Sequence, residues 1–197
     1  MKATGPIPAG YSAINGELAI GGVTASALVE RAGDTPLFVY SSEHLRRRAA
    51  DLRAAMPERL AIHYAMKGNP FPAVLELMNG LVDGFDVASG GELELALAAG
   101  VEASRISFAG PGKRDHELER AVSLGVTLNA ESEGEVERAI AIGAKLGITP
   151  RIAVRVNPSF DLKGSGMKMG GGAKQFGVDA ERVPALVKRI ILAGAEW

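Results

Sequence analysis

The chain contains no cysteine, so disulfides, thiolate metal sites and a cysteine nucleophile are all excluded. Histidine is scarce. The three present, His44, His63 and His116, lie far apart and show no metal-ligand spacing, so no metal site is expected. No apolar stretch approaches the roughly eighteen residues that a membrane span needs. The N-terminus carries Lys2, glycine and proline but no apolar run resembling a signal peptide. An excess of one charge is missing too. The formal net charge is −1 with Lys and Arg scattered along the chain, which offers nothing to nucleic acid or an anionic membrane. The densest basic run, Arg46-Arg47-Arg48, shares its segment with Glu43, Asp51 and Arg53 and reads as a solvated helix face. Together these absences point to a reduced, soluble, cytoplasmic protein.

What is present suits a globular enzyme-sized fold. At 197 residues, 47% hydrophobic and 23% charged, the chain can bury a substantial core. Residues 1–35 are punctuated by glycine and proline and read as irregular, with a short strand, PLFVY, at 36–40. Beyond them, apolar runs at 61–66, 81–87, 105–109, 126–129 and 152–156 alternate with helical periodicity at 71–78, 91–99, 114–124, 133–146 and 180–192. Ser132 with Glu135 three residues on forms a capping-box pattern, and Asp179 is an expected N-cap for the last helix. Gly100, Gly125 and Gly147 fall where helices should stop.

Such βα modules build either a (β/α)8 barrel or a doubly wound open sheet. A dinucleotide-binding sheet should show Gly-x-Gly-x-x-Gly after its first strand, and none occurs. The glycine-rich GSGMKMGGG at 164–172 follows the fifth strand with the wrong spacing. The α/β fold expected is therefore a parallel TIM-type barrel, present in part. Five strands are complete and a sixth begins near 193–197, against the eight that closure needs. Residues 41–197 then form the N-terminal portion of a barrel, and the chain reads as a fragment.

In barrels, chemistry gathers at the C-terminal ends of the strands. Residues 62–70 read IHYAMKGNP and set Lys67 where the first barrel strand gives way to a turn. A lysine there is either a strand-end residue reaching water or a Schiff-base lysine whose partial burial favours the free amine. Other strand ends supply Asp86 and Glu92, Gly110 to Lys113, Glu131, and Arg155.

These residues resemble a known family. The run Tyr64-Ala65-Met66-Lys67-Gly68-Asn69-Pro70 is similar to the lysine motif of the diaminopimelate and ornithine decarboxylases, pyridoxal-phosphate enzymes of the alanine-racemase-like barrel class. Gly84-Phe85-Asp86-Val87-Ala88-Ser89 with Glu92, Gly110-Pro111-x-Lys113, Arg155-Val156-Asn157-Pro158 and Phe176-Gly177 follow in the family's order. The resemblance implies that Lys67 holds pyridoxal 5'-phosphate as a Schiff base and that Asp86, Glu92 and Arg155 surround the cofactor. It also implies amino-acid decarboxylation within a homodimer, with a C-terminal β domain absent from this chain and a fragment inactive alone. A racemase, or a non-catalytic pyridoxal-phosphate carrier or regulatory protein, is the alternative reading. The stretch 165–179 departs from the usual pattern: Lys174-Gln175 stands where a serine-lysine pair commonly precedes the Phe-Gly. Its Met-Lys-Met-Gly-Gly run is more similar to decarboxylases acting on amino acids tethered to an acyl carrier protein, and to relatives found with exosortase systems.

Overall fold

In a computed structural model of the chain, residues 7, 10–158 and 176–197 are described. They fall into two compact units, Met1–Leu60 and Ala61–Trp197.

The first unit holds β1 (Ser12–Ile14), β2 (Glu17–Ile20), β3 (Val23–Thr24), α1 (Ala25–Ala32) and α2 (Ser42–Ala55). Residues 12–32 are thus ordered where the composition implies irregular chain. The reason lies in two tight turns. Asn15-Gly16 and Gly21-Gly22 all take positive φ, the conformation of two-residue hairpin turns whose twist matches antiparallel strands. They pair Ile14 with Glu17 and Ile20 with Val23. Thr24 then caps α1 through its hydroxyl. The expected strand at 36–40 does not form. That segment has no ladder partner among the described residues, and Phe38 is 84% exposed. Extended chain without a neighbour is not a strand, because pairing is what stabilises it. The boundary expected near residue 41 also differs from the division after Leu60. In the first unit α2 buries no side chain, exposes Arg46, Arg47 and Arg48, and connects to the unit's end through Arg53 Nη1 donating to the Leu60 carbonyl at 3.1 Å.

The second unit runs β4 (His63–Ala65), α3 (Pro72–Asn79), β5 (Gly84–Val87), α4 (Gly90–Ala98), β6 (Ile106–Phe108), α5 (Asp115–Leu124), β7 (Thr127–Ala130), α6 (Glu133–Leu146), β8 (Arg151–Val154), β9 (Val156–Asn157), β10 (Val178–Asp179) and α7 (Val183–Leu192). Strands β4 to β8 form one parallel sheet in sequence order. Glu196 makes a parallel bridge to Arg151, the start of a sixth strand where one was expected. β9 and β10 pair separately, Val156 beside Val178. Five βα units in this order are part of a (β/α)8-type barrel.

Helices cover one face of the sheet. Phe85, Val87, Ile106, Phe108, Leu128 and Ile152 point there and are buried with Leu75, Leu93, Leu118, Val136 and Ile190. Each large side chain so buried contributes about 2–3 kcal/mol. The alternate residues, His63, Asp86, Ser107, Thr127, Asn129 and Ala153, face the other way and stay partly exposed. That second face carries small and polar side chains.

α5 and α6 end at Gly125 and Gly147 in left-handed conformation, and Gly100, also at positive φ, directly follows the α4 cap residue Ala99, all as expected. Asp179 does not cap the last helix. It is drawn into β10, where it accepts a hydrogen bond from Asn157 Nδ2 at 3.0 Å, and Pro184 fixes the first turn of α7 further along. The Ser132–Glu135 capping box is half formed. Ser132 Oγ accepts from the Glu135 amide at 3.2 Å, but the Glu135 carboxylate is used elsewhere.

Candidate active site

The C-terminal ends of β4 to β8 lie along one rim, and the residues expected at the site follow those ends. Lys67 sits in a single 3-10 turn, Met66–Gly68, directly after β4. The tight turn buries Met66 completely and leaves Lys67 exposed, so its amine is not desolvated as the apolar run suggested. Asn69 shapes the exit: its side chain accepts from the Phe71 amide at 3.0 Å, and its carbonyl accepts from the Tyr64 hydroxyl at 2.9 Å. Lys67 makes no hydrogen bond or ion pair with any described residue.

Asp86 is the partner of Ala65 in register, so Lys67 starts two residues beyond that pairing on the neighbouring strand. The Asp86 carboxylate lies 3.5 Å from His63 Nδ1, with both side chains partly open to solvent. His63 was not expected to matter. The alternation of β4 places it on the polar face with Asp86, and Gly84 leaves room for its ring: a Cβ there would come within 2.5 Å of it.

Glu92 lies in the first turn of α4, where its Oε2 accepts from the Ala88 amide at 2.7 Å and its own amide donates to Ser89 Oγ at 3.2 Å. It therefore braces the β5–α4 loop. Glu117 closes the same loop from the next unit. Its carboxylate accepts from Gly90 at 2.7 Å and from Arg114 at 2.9 Å. These backbone donors, Arg114 first, hold the Glu117 carboxyl below the usual carboxylate range.

Arg155 follows β8 and is anchored on Glu131. Nη1 donates to both Glu131 oxygens, at 3.2 and 3.4 Å, and the guanidinium packs over the Phe176 ring, 4.9 Å from its centre. Glu131, at the end of β7, is 4% exposed. Besides Arg155 it accepts from the amides of Gly110 at 3.0 Å and Gly177 at 3.1 Å. Beneath it Lys113 and Glu135 form a 2.5 Å salt bridge with side chains only 1% and 2% exposed. Lys113 also donates to the carbonyls of Gly110 and Asn129, both at 2.8 Å, and Glu135 Oε2 accepts from the Glu131 amide at 3.3 Å. Two buried carboxylates are thus matched by two cations, the condition under which burying charge is tolerable.

Sequence reasoning found Lys67, Asp86, Glu92 and Arg155 near strand ends; the structure puts Lys67 and Arg155 just after β4 and β8, Asp86 one residue before the end of β5, and Glu92 in the first turn of α4. Glu131 and Glu135 were missed as partners. Their signal was available, since charged residues on the predicted ends of a buried strand and helix need counter-charges. The stretch 159–175 lies outside the described residues, including the Met-Lys-Met-Gly-Gly run and Lys174-Gln175.

The chain matches the family described as pyridoxal-dependent decarboxylase, pyridoxal binding domain, over residues 42–194. It is 43% identical over 167 residues to a diaminopimelate decarboxylase of Aquifex aeolicus, covering 84% of this chain and 39% of that protein. It is 33% identical over 158 residues to an L-glutamyl-[BtrI acyl-carrier protein] decarboxylase of Niallia circulans, covering 80% and 37%. Among solved structures, a diaminopimelate decarboxylase from M. jannaschii in complex with L-lysine superposes with a TM-score of 0.80 at 28% identity, covering 92% of this chain and 44% of that one. The chain spans less than half the length of these relatives. With its rim motifs in order on a parallel βα sheet, it belongs to the pyridoxal-binding domain family of the pyridoxal-dependent decarboxylases.

Proposed function

We propose that this chain is the lysine-bearing part of a pyridoxal-phosphate-dependent amino-acid decarboxylase and that Lys67 holds the cofactor aldehyde through its Nζ. One observation carries the reading: an exposed lysine without a partner among the described residues, at the C-terminal end of a parallel strand, on a rim that also bears Asp86 and Arg155. An amine that is neither buried nor paired is accessible to a carbonyl. The donor set also fits an anionic aromatic aldehyde. It offers one amine, one fixed guanidinium, and a polar face of Asp86, Ser107 and Asn129 rather than an apolar one.

In this assignment Arg155 presents positive charge held in place by Glu131, and Asp86 presents negative charge beside His63. Glu92 fixes the loop after Asp86 through the Ala88 amide. Bound pyridoxal phosphate supplies an electron sink for the pair left on the substrate α-carbon when carbon dioxide departs. The chain's residues bind and orient; the electronic work belongs to the cofactor.

The test is to incubate the protein with pyridoxal phosphate, reduce with borohydride and map the modified peptide. Label on Lys67 is expected. Label confined to other lysines, or none, overturns the assignment. The substrate class we propose is an amino acid, either free or linked to a carrier protein. Carbon dioxide released from free diaminopimelate or from a carrier-linked aminoacyl group separates the two, and sedimentation of the protein tests the homodimer that the family resemblance implies.

A further inference from the structure

We propose that Glu131 is a positioning residue of this site, acting through Arg155 and through the backbone of two strand-end segments. The inference rests on Arg155 lying at the cofactor site, as assigned above. One carboxylate, 4% exposed, serves three donors that come from three different places in the chain: Gly110 after β6, Arg155 after β8 and Gly177 before β10. Its own amide is in turn held by Glu135 Oε2 at 3.3 Å, and Glu135 is locked by the buried Lys113. The carboxylate therefore cannot drift, and whatever it holds is held in place.

The geometry of its partners shows how little slack there is. Gly177 has φ +81, and a Cβ on it would stand 2.9 Å from the Arg155 carbonyl oxygen. The backbone at 177 lies against the backbone at 155, and the ring of Phe176 lies under the guanidinium. Glu131 accepts from both members of that contact. Removing its charge loosens the arginine, the Phe176-Gly177 pair and the Gly110 amide together. Asp86 and Glu92 have no such reach.

This role differs from a purely structural one, because a structural carboxylate would change stability and nothing else. The experiment uses Glu131→Gln, which keeps the shape, and Glu131→Asp, which keeps the charge but shortens the arm, each in the full chain. The first readout needs no cofactor. Amide hydrogen exchange at Gly110 and Gly177 is expected to rise about tenfold or more in both variants, with exchange at Leu118 and Val136 in the helical core unchanged. The second is the concentration of pyridoxal phosphate giving half-maximal borohydride trapping at Lys67. It is expected to rise about tenfold in Glu131→Gln and by a similar factor in Arg155→Gln. The double variant is expected to be no worse than Arg155→Gln alone, because residues acting as one unit are not additive.

Unchanged exchange at both glycines in both variants overturns the proposal. So does additive loss of trapping in the double variant. If wild-type chain traps no cofactor at Lys67, the cofactor reading fails on its own, and the exchange measurement still decides whether Glu131 clamps these segments. Should Glu131→Gln not fold, Glu131→Asp carries both readouts.

Discussion

Lys113 Nζ lies 2.5 Å from Glu135 Oε1 in a place that water does not reach. Breaking such a pair from one side strands the other charge. Lys113→Met is expected to cost about 3–5 kcal/mol in chemical denaturation. Lys113→Met with Glu135→Leu should recover at least about 1 kcal/mol of that loss, since no lone charge is left. A double variant less stable than the single one would show that the pair's charge is not what matters.

Lys67 should behave in the opposite way. It is exposed and bonded to no described residue, so Lys67→Ala should leave stability within about 0.5 kcal/mol of wild type. The same change should abolish borohydride trapping of pyridoxal phosphate. Thermal unfolding and peptide mapping on one preparation check both halves.

Glu117 makes a prediction about pH. Its folded carboxyl titrates below its ordinary value because the Arg114 and Gly90 amides donate to the charged form. A depressed folded pKa contributes stability above the unfolded value of about 4.3 and loses it as pH falls through the folded one. The stability difference between wild type and Glu117→Gln is therefore expected to be level above about pH 5 and to shrink below about pH 4. Denaturant midpoints of the two proteins measured across that range settle it. A difference that grows toward acid would contradict the assignment.

Gly143 sets helix propensity against packing. In the last turn of α6, Gly143→Ala should gain up to about 1 kcal/mol from propensity alone. The new methyl would lie 2.7 Å from the Ile148 carbonyl oxygen and 2.7 Å from the Pro150 ring. Overpacking against backbone costs about 1–3 kcal/mol, so the substitution is expected to be net destabilising. Urea unfolding that shows a gain would mean the αβ connection after α6 yields freely.

Much of this was legible in the sequence because the βα modules write their period plainly. The alternation of β5, with Phe85 and Val87 against the helices and Asp86 turned away, is visible in the letters GFDV. The rim motifs then located Lys67, Asp86, Glu92 and Arg155. Other features were written in signals weighed too lightly. Asn15-Gly16 and Gly21-Gly22 mark two hairpin turns, yet glycine-rich composition read as irregular chain. PLFVY at 36–40 has strand letters, but strand formation depends on a partner that no local pattern reveals. The exposure of Lys67 was hidden because one 3-10 turn hands the buried position to Met66. The matching of Glu131 with Arg155, and of Glu135 with Lys113, spans 22–24 residues and emerges only when neighbouring modules stack.

The two-residue rhythm of β5 to β8 has a consequence for how this domain can diverge. Deleting a single residue from β7 would turn Leu128 toward the polar face and Asn129 into the oily layer beneath the helices. Loops between modules can lengthen or shorten freely, but inside the strands the reading frame of inward and outward is locked. Variation in this domain should therefore accumulate as indels at the turns and as substitutions, never as indels, along the strands.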